Sequence, residues 1–273
     1  MYVSTLSTIL KDNWSWRKQV NQLAKFDMVK KSRGAALGRA WLFVRPTMYI
    51  LVFWFALEVG LKQEHMSASN LPYIIWLMAG LIPWFFMQDQ LGSGSNALKR
   101  YTYLVNKIKF PLSCIPTIVS KSNMFIEACL LVALFVIYLL CGGSLDVYLL
   151  QVPVIALLMY AFWWCFGVMC SFMSAMSKDF NQLLHALQQP LFWLSGVIFS
   201  VSAVVEHVPF MTYVFYIDPI TFFAESMRSA FYYKTWIWQD PLFLIVFLVI
   251  FALQIAFMCF IYRRTHEEVA DVL

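Results

Sequence analysis

Charged side chains are scarce in this sequence. Asp, Glu, Lys and Arg make up 13% of its 273 residues, while 61% are hydrophobic and the mean hydropathy is +0.68. A soluble domain is about a quarter charged and about half apolar, so this scarcity excludes a soluble globular fold and points to a polytopic membrane protein. The apolar runs leave no room for a separate soluble unit, and residues 1–273 read as one all-α membrane domain.

Other absences narrow the class. The N-terminal stretch MYVSTLSTILKDNWSWRKQ has neither a continuous apolar core nor a small-residue cleavage site, so no cleaved leader is expected and the chain should begin in the cytoplasm. The cysteines at 114, 129, 141, 165, 170 and 259 show no CxxC or Cys/His ligand spacing and read as small buried thiols. HExxH, GxSxG and an Asp-x-Asp pair are missing, and the histidines at 65, 185, 207 and 266 are scattered. No catalytic residue, metal site or nucleic-acid partner is therefore expected. GxxxxGK[ST] is also missing, so the chain should not hold ATP through a P-loop; LGSGSN at 91–96 has its glycines without a preceding strand or a following Lys-Ser/Thr.

What is present is a series of apolar segments. A span needs roughly 20 mainly apolar residues, and six segments meet this, at about 40–60, 70–91, 112–140, 147–176, 183–204 and 241–262. CGGSLD at 141–146 turns the third span into the fourth. Of the 20 Lys and Arg residues, all but Lys62, Arg228 and Lys234 fall on one side of this layout. Positive charge stays inside, so both termini are expected in the cytoplasm of a cell-membrane protein. Within 1–33, Trp16, Val20 and Leu23 follow helical spacing while Lys18 and Lys25 point away, the pattern of an amphipathic helix in the membrane interface or of an ordinary soluble helix packed on a partner.

The stretch 205–239 is too polar and Pro-broken for a span and too apolar for a solvated loop. Two short re-entrant helices divided near Asp218-Pro219 fit it, with Glu225 and Arg228 placed to pair on one helix face. In the third span Ser113, Thr117, Ser120, Lys121 and Glu127 share one face, either as the wall of a hydrophilic path or as a polar seam between helices. Gly80 and Pro83 predict a kink in the second span, and Gly167, Ser171 and Ala175 predict close packing of the fourth. Aromatic residues make up 18% of the chain. Tyr49, Phe53, Trp84, Phe85, Phe192 and Trp193 lie away from the interfaces or near kinks, where ring faces suit the apolar face of a sugar or simply fill the core.

Several of these segments carry a resemblance. KKSRGAALGRAWLFVRPTMYILVFWFAL, with Leu37-Gly38, Trp41 and Pro46, is similar to the first-span region of ABC-2-type permeases. LPYIIWLMAGLIPWFF, YLVNKIKFPLSCIPT, LSGVIFS and DPITFFAESMRSAF resemble later signatures of that family, and the match extends over about 26–264. PYIIWLMAG, KIKFPLSCIPT and YYKTWIWQD look most like the wall teichoic acid translocation permeases of the polysaccharide and teichoic acid exporters. Asp218 stands where that pattern usually has Asn, and SKDF at 177–180 replaces the commoner Arg-Asp.

The resemblance implies a half-transporter. Two copies would work with two copies of an ATPase subunit, which binds ATP and Mg, and a lipid-linked teichoic acid or polysaccharide would pass between them. A short basic coupling helix at about 96–108 would dock on the ATPase through Lys99, Arg100, Tyr101, Tyr103 and Leu104, with Asp179 at a lesser contact. Spans one, two and five would line the path with the aromatic residues named above, and 205–239 would form an outer gate with Asp218, Glu225 and Arg228. Alternatives keep the fold with an O-antigen, capsular, drug or lipid cargo, or replace transport by an intramembrane enzyme of glycolipid assembly or a passive channel.

Overall fold

The computed structural model describes residues 2–31, 33–34, 36–60, 71–108 and 110–272. Lys62, His65 and Lys109 lie outside them. The described residues are helical or irregular, without a strand, as expected where lipid leaves backbone groups no water to bond. Two helices, α1 (Tyr2–Ser15) and α2 (Arg17–Lys31), lead to α3 (Trp41–Trp54) and α4 (Tyr73–Asp89). Short helices α5 (Ala97–Arg100) and α6 (Thr102–Ile108) precede the long hairpin of α7 (Cys114–Leu140) and α8 (Val152–Met176). Then come α9 (Lys178–Leu194), α10 (Val201–His207), α11 (Met211–Ile217), α12 (Pro219–Arg228) and α13 (Pro241–Val272).

Among the described residues, five helical segments are long and apolar enough to cross a membrane: Gly38–Gly60, Tyr73–Gly94, Cys114–Leu140, Val147–Met176 and Pro241–Val269. The segment expected as a span at 183–204 is instead the 17-residue α9, followed by irregular chain and the separate α10. Its sequence explains the difference. Gln182, His185, Gln188 and Gln189 make its first half polar, Pro190 sits inside it, and the backbone turns extended at Ser195. The break is also held from outside, because Thr221 Oγ1 accepts from Gly196 N at 3.1 Å and Arg228 donates to the carbonyls of Gly196 and Val197. Irregular backbone at membrane depth persists when protein satisfies it in this way.

Two cores hold the bundle. The larger joins α4, α7, α8, α12 and α13 through Trp76, Leu134, Phe162, Phe223 and Phe247. Phe222 and Phe247 stack with centroids 4.0 Å apart. Gly80 on α4 is needed here, since a Cβ would meet Arg228 Nη2 and Val197 O, each at 2.5 Å. The smaller core gathers α1, α2, α5, the start of α7, the second half of α8 and the end of α13 around Val20, Tyr101, Phe172 and Val269, so both chain ends lie at one end of the bundle. The apolar face of α2 meets the chain's own residues: Val20 is buried, and Trp16 packs edge-on against Phe110 at 5.0 Å. Lys18 and Lys25 remain exposed.

On the polar face of α7, three side chains bond to neighbouring helices. Ser113 Oγ donates to Asp12 Oδ2 at 3.3 Å, Trp164 Nε1 to Thr117 Oγ1 at 2.7 Å, and Ser120 Oγ to Gln90 Oε1 at 3.1 Å. That part is a polar seam. Gln90 in turn lies against Gly167, whose missing side chain makes room for it. Further along, Asn123 and Glu127 border a cavity.

Candidate transport path and its charged cavity

The cavity, of about 600 Å³, lies among α2, α3, α4, α7 and α9. Helical spacing builds its walls. Trp41, Arg45 and Tyr49 recur every four residues on α3, and Phe85, Asp89 and Ser93 do the same along α4 and its continuation. Asn123 and Glu127 face them from α7, His185 and Gln188 from α9, and Lys31 closes the last turn of α2. Arg100 reaches it from α5.

Its electrostatics are uneven. Lys31 donates to Asn123 Oδ1, a neutral partner, and burial lowers the pKa of its ammonium, an effect that the more distant Asp89 and Asp27 oppose. Arg100 Nη2 pairs with Asp27 Oδ1 at 3.0 Å. Glu127 is buried, and its Oε1 has no partner among the described residues.

From this cavity an aromatic track leads away. Tyr49 and Phe85 line the cavity and lie 6.2 Å apart. Tyr49 stacks on Phe53 at 6.4 Å, Phe53 meets Phe192 at 5.2 Å, and Phe192 meets Trp84 at 4.8 Å and Trp193 at 5.8 Å. Every aromatic residue expected on the path thus joins one connected set, contributed by α3, α4 and α9. They differ in access. Tyr49 and Trp193 are exposed, Phe53 and Phe85 are half-buried, and Trp84 and Phe192 are covered by their neighbours. Trp84 and Phe192 therefore back the track rather than present a free face.

The segment expected to dock on an ATPase needs correction in two residues. It is two short helices broken at Tyr101, not one. Tyr101 and Leu104 are buried in the smaller core, so they do not face a partner. The Tyr101 hydroxyl donates to Asp27 Oδ1, and burial with this bond raises its pKa well above the ordinary phenol range. Tyr103 is exposed, Lys99 and Arg100 are half-buried, and Asp179 is exposed in the first turn of α9.

The residues expected in a gate occupy structural positions. Asp218 caps α12, accepting from Ile220 N at 3.1 Å and Thr221 N at 3.0 Å. Glu225 and Arg228 pair at 2.7 Å, but Arg228 is fully buried and lies 3.4 Å over the Trp76 ring, so it faces protein and no open passage. Sequence reasoning missed Lys31, Arg45, Asn123, His185 and Gln188 as cavity residues. Lys31 and Arg45 entered it only as positive charges near a span, while the others come together from separate helices.

The ABC-2 type transporter family matches residues 18–232. The O-antigen export system permease protein RfbA of Myxococcus xanthus is 22% identical over 263 residues, 96% of this chain and 98% of that protein.

Proposed function

The chain belongs to the ABC-2 type transporter family, and we propose that it is the permease of a glycopolymer exporter driven by a separate ABC ATPase. As a family member it is a transporter membrane subunit rather than a catalytic domain. On our reading two copies associate with two ATPase subunits, which hold ATP and Mg, and the end carrying both termini faces the cytoplasm. The cargo is a lipid-linked polysaccharide. Similarity to an O-antigen permease supports that class, and the motifs in the second span and at 107–117 favour wall teichoic acid within it.

The observation that carries this reading is the connected aromatic track opening from a polar cavity. Sugars combine apolar ring faces with polar rims, so a track of rings guides a chain of them without gripping one repeat. A hydrophobic cargo would need neither the charged mouth nor Gln188 and His185 beside it. In the working cycle the ATPase closes against the segment around Tyr103, and α4 and α7, joined by that segment, carry the movement to the cavity. The helices α10 to α12 then form the outer closure.

Replacing the exposed rings tests this. Tyr49→Ala and Trp193→Ala should each slow export of lipid-linked polymer roughly threefold to tenfold, the scale of one lost ring contact, with ATPase co-purification unchanged. Vesicles loaded with lipid-linked O-antigen or teichoic acid would separate the two cargoes. Undiminished export by both variants would remove the track from the path.

A further inference from the structure

A second cavity, of about 530 Å³, lies on the far side of α7 from the charged one. It is a groove between α7 and α8. Lys121, Phe125 and Ala128 recur along one face of α7, and Ala156, Leu157 and Tyr160 along the facing side of α8. Phe125 and Leu157 are exposed and form its rims, while the short side chains of Ala128 and Ala156 leave the space between them open. From Lys121 to Ala128 the groove follows about two turns of helix, roughly 10 Å.

Its polar groups gather at the end nearest the chain termini. Trp164 donates to Thr117, so one turn further along each of these antiparallel helices brings Tyr160 level with Lys121. The Tyr160 hydroxyl makes no hydrogen bond among the described residues. Lys121 Nζ donates to Asn21 Oδ1 on α2 at 2.7 Å, a neutral partner, and makes no ion pair among those residues. Asn21 shares its helix face with Lys18 and Lys25, both exposed. Asp27, the one acid on α2, is buried and taken by Arg100 and Tyr101. A basic rim thus stands over an apolar groove that opens on the outer surface of two spans.

That arrangement has the polarity of a phospholipid. An acyl chain fills an apolar slot along a span, and a lysine stem can lie along the same slot while its ammonium reaches the head-group level. Basic clusters at that level favour lipids with net negative charge. We propose that the α7–α8 groove binds an anionic membrane phospholipid. One acyl chain lies between the helices, the phosphate sits on Lys121, and the Tyr160 hydroxyl donates to an ester carbonyl. Lys18 and Lys25 draw the net negative charge of the head group, and a zwitterionic lipid, which carries its own cation, gains less. The site rests on the membrane-spanning helices and not on the export reading.

Native mass spectrometry of the full-length chain, purified in detergent with any ATPase that accompanies it, tests this by titration with dioleoyl phosphatidylglycerol and dioleoyl phosphatidylcholine. The first phosphatidylglycerol should bind more tightly than the first phosphatidylcholine by about fivefold or more, the scale of one lysine at a membrane surface. Lys121→Gln should remove about that factor for phosphatidylglycerol alone, and Lys121→Arg should keep it. Tyr160→Phe should weaken both lipids by about threefold, since both carry ester carbonyls. Ala128 is exposed, so Ala128→Phe fills the groove without a core substitution and should weaken both lipids. Asn21→Ala should leave binding intact, because it frees Lys121. A loss there equal to that of Lys121→Gln would reduce the lysine to a tether between α2 and α7 and overturn the site. Equal affinity for the two lipids would overturn it, as would displacement of phosphatidylglycerol by glycerol phosphate, which marks a free anion. Phosphatidylglycerol binding unchanged in Ala128→Phe would also overturn it, leaving surface attraction alone; if copies of the chain separate in that variant, the groove is a contact between them.

Discussion

Arg228 carries a charge that costs about 2.5–3.5 kcal/mol to place in mid-bilayer on insertion scales, yet it is fully buried. Its surroundings explain how it is tolerated. Nε donates to Trp76 O at 3.3 Å, Nη1 to Glu225 and the Gly196 carbonyl, and Nη2 to the Val197 carbonyl. Arg228→Ala would leave those acceptors without a donor and Glu225 without its counter-charge, so a loss of about 3–5 kcal/mol is expected. Thermal unfolding of the solubilised protein measures it, and Arg228→Lys should recover only part, because an ammonium cannot span the same carbonyls as a planar fork. Asp218 gives a contrasting case. Asn caps helices as well as Asp does, so Asp218→Asn should leave stability nearly unchanged, whereas Asp218→Ala should cost about 1 kcal/mol. The same unfolding measurement decides between a capping role and a charge-specific one.

Among the elements, α5 and α6 separate what spacing reveals from what it hides. The basic, aromatic run where one helix was expected at about 96–108 forms two short helices, broken at Tyr101. It does not reveal that Tyr101 turns inward, since the residue that receives its hydroxyl, Asp27, stands 74 positions earlier. The two tyrosines therefore predict different failures. Tyr103→Glu should abolish ATPase co-purification while the permease stays folded and inserted, because Tyr103 is exposed. Tyr101→Phe should keep the ATPase but lower stability by about 1–3 kcal/mol, leaving the buried Asp27 carboxylate short of a donor. Retained co-purification with Tyr103→Glu would rule out this side of the segment as the dock. The fifth predicted span is not one continuous helix, for a related reason. Hydropathy and length marked 183–204 as apolar, but the chain breaks at Ser195 because Thr221 and Arg228, far along the sequence, satisfy the freed backbone. The long spans were legible because their apolar runs are local; the cavity was not, because Lys31, Arg45, Asn123 and His185 share no spacing.

Across the whole molecule, the end remote from the termini is fastened by a clasp that joins the chain after α12 to the α7–α8 hairpin. Gln151 donates Nε2 to Thr235 O at 2.7 Å and accepts from Ile237 N at 3.1 Å. Lys234, in a left-handed backbone conformation at φ 57°, pairs with Asp146 at 3.0 Å and reaches the Tyr138 hydroxyl. The clasp holds the trailing side of the re-entrant region, so an outer closure would move by its leading helices, α10 and α11, whose surfaces are largely exposed. Asp146 makes the clasp sensitive to acid. Its hydrogen bond from Ser144 and its contact with Lys234 hold its pKa below the ordinary value of 3.8. A carboxylate depressed in the folded state contributes in full above its ordinary pKa, and the contribution disappears as pH falls through the lower folded value. Amide exchange at Ile237, corrected for its intrinsic pH dependence, should therefore be equally protected at pH 7 and pH 5 and less protected below about pH 3, and Asp146→Asn should remove this acid step. An acid step of the same size in Asp146→Asn would place the sensitivity elsewhere and leave the clasp resting on Gln151 alone.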